Sequence, residues 1–278
     1  MDCRVALVAL YRAFTTLAVT DRPLSIAKPG DWTDWAIILD AFDISIQTFV
    51  TSFAHRSTAF DMFVSRLDGD TFWKGGPVIA ALWWCWFRSE SHRHAARRLV
   101  IGTIASAVAA VILGRALAII LPFRVRPIFE PSLQGILNFA SGPTDGLQLW
   151  SSFPSDHAMA FSAVATGLWL VSRPMGLAAF AYVVAFIDLP RIYVGLHYPT
   201  DILGGTVFGI VVTLLVCSKP MLAHWGTVLQ WIDTRWVSRS PGLFYPFAFF
   251  LTFEMSTMFN DVRFMLMFVA KLLPRTLH

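Results

Sequence analysis

Residues 99–121, LVIGTIASAVAAVILGRALAIIL, form the clearest apolar run in the chain, interrupted only by Arg115. As a helix rising 1.5 Å per residue, such a run crosses about 30 Å of hydrocarbon. Other runs flank it at 72–87, 153–171, 174–193 and 202–217, each reaching span length only by including polar residues at an end. The composition agrees: of 278 residues 56% are hydrophobic and 14% charged, well outside the range of ordinary soluble domains. The expected fold is all-α, a polytopic membrane helix bundle of about six transmembrane helices with additional interfacial amphipathic helices.

Trp83, Trp84 and Trp86 cluster at the end of one apolar run, as interfacial aromatics do. The net charge of +4 is too small and too dispersed for nucleic acid, and anionic lipid is the more natural partner. Cys3, Cys85 and Cys217 give neither a disulfide framework nor metal-ligand spacing, and no metal or other cofactor is expected.

Three consecutive regions are expected. Residues 1–70 hold interfacial or membrane-associated helices, because between 31 and 67 the apolar residues interleave with Asp34, Asp40, Asp43, Gln47, His55, Arg56 and Asp61. Ahead of them, Arg4 precedes an apolar run that Tyr11 and Arg12 break, without a small-residue cleavage site. Residues 71–218 form a catalytic transmembrane core. Residues 219–278 form an extension with a further membrane-associated or spanning helix around 243–259 and an interfacial segment at 264–273.

Charge sets the expected orientation. The basic stretch Arg88, Arg93, Arg97 and Arg98 belongs in the cytoplasm by the positive-inside tendency. Alternation then brings Arg126, His157 and the segment from Arg191 to Asp201 to the opposite face, so residues far apart in sequence can share one site. Residues 122–152, rich in turn formers such as Gly135 and Gly142, connect them outside.

Charged and imidazole groups at the ends of apolar helices bear a desolvation cost that a membrane protein accepts for function. Three segments carry them: Phe123-Arg124-Val125-Arg126-Pro127, Phe153-Pro154-Ser155-Asp156-His157, and Arg191 through His197 to Asp201. In the second, Ser155 or Asp156 can cap a helix start, and a helix amino terminus favours an anion beside His157. In the third, Pro199 suits a first helical turn that brings Asp201 back toward His197. A carboxylate there fixes one imidazole tautomer and leaves the other nitrogen free to attack. Arg126 and Arg191 match phosphate oxygens with paired hydrogen bonds, and Arg124 can assist. General acid catalysis falls to His157, a role worth on the order of 10²–10⁴-fold in rate. His92 and His94 read as an exposed polar loop, and Arg115 and Asp188 as structural, snorkelling or paired near the site.

Arg126-Pro127, Pro154-Ser155-Asp156-His157 and Arg191…His197…Asp201 together resemble the type 2 phosphatidic acid phosphatase superfamily of membrane lipid phosphatases, which share a site with vanadium haloperoxidases. The family pattern is a Lys separated by six residues from Arg-Pro, then Pro-Ser-Gly-His, then Ser-Arg followed by His and Asp. The resemblance implies metal-free hydrolysis of a lipid phosphate or diphosphate, with His197 as nucleophile, His157 as proton donor, Asp201 supporting His197, and Arg126, Arg191, Ser155, Asp156 and Arg124 at the phosphate. Three positions depart from the pattern. Ile119 stands where the Lys is expected, so Arg115 or Arg124 supplies that charge or the site has one cation fewer. Asp156 replaces Gly and is expected to aim its carboxylate away from phosphate while its N–H contributes. Pro190 replaces Ser. The Phe-Pro-Ser-Asp-His variant is similar to the bacterial undecaprenyl pyrophosphate phosphatase branch. That implies a polyprenyl diphosphate substrate and a bacterial inner-membrane location with the site facing the periplasm or exterior. The competing readings are a lipid-to-lipid phosphotransferase, a haloperoxidase, and a membrane protein that binds an anion or lipid without chemistry.

Overall fold

The computed structural model describes residues 33–88, 93–130, 133, 147–259 and 265, and every regular element among them is helical. In order these are α1 Thr33–Thr51, α2 Thr58–Gly69, α3 Thr71–Phe87, α4 Arg93–Ile120, α5 Asp156–Val171, α6 Arg173–Tyr193, α7 Pro199–Val216, α8 Lys219–His224, α9 Gly226–Trp231 and α10 Pro241–Ser256. Short 3₁₀ turns lie at Pro127–Phe129 and Leu147–Leu149. The all-α expectation thus holds for these residues. The readings made for 1–32, for the turn formers at 135–146, for His92 and for most of 264–273 lie outside the described residues.

Three helices are long and apolar enough to cross a membrane, namely His94–Ile120, Arg173–Tyr193 and Pro199–Val216, which marks the chain as a membrane protein. Against an expectation of about six, the other apolar helices are short: α3 has 17 residues and α5 and α10 have 16 each. At 1.5 Å per residue they reach about 24–26 Å, below the ~30 Å of a typical hydrocarbon core. Helix α6 contains a π-helical turn at Val184–Asp188 immediately before Pro190. A proline ring clashes with the carbonyl four residues back, and widening the preceding turn relieves that clash while the helix continues.

Close contacts divide the chain into two units that interleave in sequence: Met1–Gly69 with Ile112–Met159 and Val184–Phe208, and Asp70–Val111 with Ala160–Val183 and Gly209–His278.

The first unit has an apolar core of Val64, Tyr193, Val194 and Leu196, with Val50, Ala54 and Leu147 packed on it. Gln47 of α1 donates to the Ile192 carbonyl at 2.7 Å, tying the amino-terminal helix to the end of α6. Gly205 in α7 lies so close to the Ser155 carbonyl that a Cβ would sit 2.5 Å from it, which lets α7 run directly against the start of α5.

The second unit is built on aromatic packing. Trp86 and Phe244 stack with centroids 5.4 Å apart, and Trp83 donates its indole N–H to Thr252 at 3.1 Å. An apolar cavity of about 150 Å³ opens among Leu82, Trp86, Ile104, Trp236 and Phe247.

Candidate active site

All three chemistry-bearing segments belong to the first unit, and backbone hydrogen bonds staple them together. Ser152 N–H donates to the Arg124 carbonyl at 2.9 Å, Ile128 N–H to Gly195 at 2.9 Å, and Ser155 N–H to Asp201 at 3.1 Å. Gly195 accepts from a left-handed conformation, φ 75°, that favours glycine. Leu196 N–H returns to the Arg191 carbonyl at 2.9 Å, closing the loop that presents His197.

His197 is buried, and its two ring nitrogens have different neighbours. Nδ1 lies 2.9 Å from the Ser152 carbonyl, which can only accept, so Nδ1 carries the proton. Nε2 is then the lone-pair nitrogen, 3.2 Å from an Arg126 terminal nitrogen. Burial pushes His197 below its ordinary range, Arg126 acts in the same direction, and Asp201 pulls the other way. The neutral ring with a free Nε2 is the form that can attack an electrophile.

The expected direct bond from Asp201 to His197 is replaced by a longer arrangement. The nearest Asp201 oxygen is 3.8 Å from Nδ1, an electrostatic contact beyond hydrogen-bond length. That oxygen accepts instead from the Tyr198 N–H at 2.8 Å and from the Ser152 hydroxyl. Ser152 therefore joins the two: its carbonyl holds His197 and its hydroxyl holds Asp201.

Arg124, expected to assist at the phosphate, has its guanidinium among carboxylates. It donates to Asp201 at 2.5 Å, to Asp43 at 2.6 Å and to Thr200 at 2.8 Å, and lies 4.2 Å from the Tyr198 ring centroid. Burial opposes its charge, but Asp201 and Asp43 more than offset this and raise its pKa. Asp43, from α1, also accepts the Thr200 N–H at 2.9 Å and so caps the start of α7, where a carboxylate complements the helix dipole.

Arg126 and Arg191 are placed differently. Arg126 donates to the carbonyls of Leu196 at 2.9 Å and Ser151 at 3.4 Å. Arg191 is 3.7 Å from Asp68, within ion-pair range but not hydrogen bonded. The Nε–H groups of both are buried and have no hydrogen-bond partner among the described residues. Burial lowers the Arg126 pKa, Arg191 and Arg115 act in the same direction, and Asp156 and Asp201 oppose them.

In the second segment Ser155 caps α5: its carbonyl accepts from Met159 at 3.0 Å and its hydroxyl from Ala158 N–H at 3.4 Å. The Asp156 carboxylate, expected to aim away from phosphate, has both oxygens engaged by neighbouring side chains. It lines a small pocket with Arg115, Arg126, Trp150 and Ser151, and pairs with Arg115 and His157. Sequence reasoning missed Asp43, Ser152, Thr200 and Asp68. Only Asp43 carried a signal, as an acidic residue on an apolar helix face. Among the described residues no group of three or more His, Cys, Asp or Glu could hold a metal ion.

With this geometry in hand, residues 98–225 of this helical membrane protein match the PAP2 superfamily model. Among curated proteins it is 33% identical over 81 residues to a lipid A 1-phosphatase of Rhizobium johnstonii, covering 29% of this chain and 32% of that one. It is 37% identical over 67 residues to undecaprenyl-diphosphatase BcrC of Bacillus subtilis, covering 23% and 33%. A bacitracin transport permease protein BcrC of Bacillus licheniformis is 32% identical over 66 residues, covering 24% and 32%. The chain thus spans about a third of the length of the curated relatives it matches. No solved structure matches it.

Proposed function

We propose that this chain is an integral-membrane lipid phosphatase that works through a phosphohistidine on His197, with a polyprenyl diphosphate such as undecaprenyl diphosphate as the favoured substrate. The observation that carries the reading is His197 Nε2 lying 3.2 Å from the buried guanidinium of Arg126, whose Nε–H has no hydrogen-bond partner among the described residues. A buried cation without a hydrogen-bonded carboxylate is costly, and a phosphate supplies the acceptors it lacks. The relatives' names, one a lipid A phosphatase and another an undecaprenyl-diphosphatase, support the substrate class.

In this reading His197 Nε2 attacks the terminal phosphorus. An N–P bond forms as the P–O bond to the lipid-side oxygen breaks, and His157 gives that oxygen its proton. His157 then takes a proton from water, whose oxygen attacks phosphorus, breaks the N–P bond and releases inorganic phosphate. Arg126 and Arg191 face charge spread over the transferring phosphoryl group. Ser152 and Asp201 hold the nucleophile and stabilise its ring as positive charge develops there.

The test is phosphate release by purified protein in detergent with EDTA, comparing undecaprenyl diphosphate, phosphatidic acid, phosphatidylglycerol phosphate and lipid A. Release from the polyprenyl diphosphate above the others supports the reading. Label that moves from the diphosphate onto a second lipid supports a phosphotransferase instead, and binding without turnover supports an anion-binding protein.

A further inference from the structure

Three side chains at the junction of α4 and α5 form a chain of contacts that the steps above do not use. Asp156 Oδ1 lies 2.9 Å from His157 Nδ1 and also accepts the His157 backbone N–H at 2.9 Å. Its other oxygen pairs with the Arg115 guanidinium, whose central carbon is 5.4 Å from the Trp150 ring centroid. The approach of α4 makes this reach possible: a Cβ at Gly114 would sit 2.9 Å from Met159 Sδ in α5. The three side chains are 30%, 14% and 15% exposed for Arg115, Asp156 and His157, so the contacts are partly shielded from screening.

We propose that Asp156 is a positioning residue for His157, and that Arg115, reaching from α4, holds Asp156 in the rotamer that does this. An ordinary acidic residue in a first helical turn complements the dipole and needs no bond to a ring. Here the same oxygen binds both the backbone and the imidazole of the next residue, which fixes the ring against the helix start. A carboxylate accepts and never donates, so Nδ1 keeps its proton and all proton traffic of His157 passes through Nε2. Arg115 occupies the second oxygen and so fixes the carboxylate at the edge of the pocket that both residues line with Arg126. The inference rests on the proposed role of His157 as acid and base.

The test uses the full chain in detergent, labelled with ¹⁵N-histidine, and the variants Asp156→Gly, Arg115→Met and Arg115→Lys. In the wild-type chain neutral His157 should be the Nδ1–H tautomer, shifting toward Nε2–H in Asp156→Gly. In kinetics Asp156→Gly should lower kcat on the lipid substrate by roughly 10²-fold, the lower end of a general acid's contribution, while KM stays within about twofold. With 4-nitrophenyl phosphate, whose leaving group needs no proton, the first-turnover loss should shrink to a few-fold. Arg115→Met should lower kcat in the same way and Arg115→Lys should restore most of it. An unchanged tautomer in Asp156→Gly, or equal first-turnover losses for both leaving groups, overturns the proposal. A wild-type chain that releases no phosphate, with a tautomer that still follows Asp156, overturns the phosphatase reading and supports the contact.

Discussion

The two units differ in what their buried polar side chains are: mostly hydroxyls in the second, mostly ionisable groups in the first. In the second unit, Thr103, Ser106, Thr166, Thr213 and Thr252 each donate to the carbonyl four residues back in their own helix. Each is met first within its own helix, although Thr213 also reaches the Ala163 carbonyl at 3.1 Å and Thr252 also accepts from Trp83. In the first unit the bonds are long in sequence: Arg124 joins Asp43 81 residues away and Asp201 77 residues away, and His197 joins Ser152 across 45. Among the described residues the buried Asp, Glu, Arg and His side chains are Asp43, Arg124, Arg126, Asp188, Arg191, His197 and Asp201 in this unit and Glu254 in the other. A hydroxyl bonded back to its own helix is a way to bury polarity cheaply. A network of charges assembled from four segments costs more desolvation and is kept where it holds a reacting group.

That contrast can be broken by substitution. His197→Ala should reduce phosphate release to background, a loss on the order of 10⁴-fold or more, because no other side chain supplies the attacking nitrogen. Removing the partner that orients charge at the phosphate should cost less: Arg126→Ala should lower kcat by about 10²–10³-fold, as loss of a donor aimed at developing charge does. Asp43→Ala touches no reacting atom but leaves Arg124 buried with one carboxylate. It should destabilise the protein by about 3 kcal/mol, read as a lower Tm in detergent. Thr166→Val in the second unit removes only a helix-local bond, so it should shift stability by less than about 1 kcal/mol and leave turnover unchanged. If Thr166→Val and Asp43→Ala cost the same, the distinction between local and assembled polarity fails.

The pH dependence sharpens the same point. His197 must be neutral to attack, and burial with Arg126 holds its pKa below the ordinary value of 6.5. Activity therefore persists as pH falls through 6.5 and is lost only on further acidification, seen as an acid limb in kcat/KM of the wild-type chain.

Much of the site was legible in the sequence because its parts sit next to strong local signals. Arg126 beside Pro127, His157 two residues after Ser155, and His197 before Pro199 all stand where apolar runs begin or end, and the structure gathers these segments in one unit. What escaped was whatever depends on a partner far along the chain. The spacing of His197 and Asp201 invites a direct bond, yet Asp201 is drawn to Tyr198 N–H, Ser152 and Arg124, and no local pattern announces Ser152. Arg124 looked like a phosphate ligand for the same reason: its charge is visible in sequence, while the two carboxylates that absorb it are not. The pairing of Asp156 with Arg115 could not be read either, because Arg115 lies in a different helix. Among the described residues three helices are long and apolar enough to span where about six were expected, and at the other apolar runs polar residues at the ends belong to caps and loops. Asp70 caps α3 through the Phe72 N–H at 2.8 Å, and Phe153 lies ahead of α5.

The central claim is that His197 carries the phosphoryl group. Rapid quenching of the detergent-solubilised chain with lipid diphosphate labelled in the terminal phosphate, in EDTA, followed by proteolysis and mass spectrometry at alkaline pH, reads it directly. Label should appear on the peptide containing His197, be stable in base and labile in acid, and be absent in His197→Ala. Phosphate release with no labelled peptide, or label retained in His197→Ala, would contradict it.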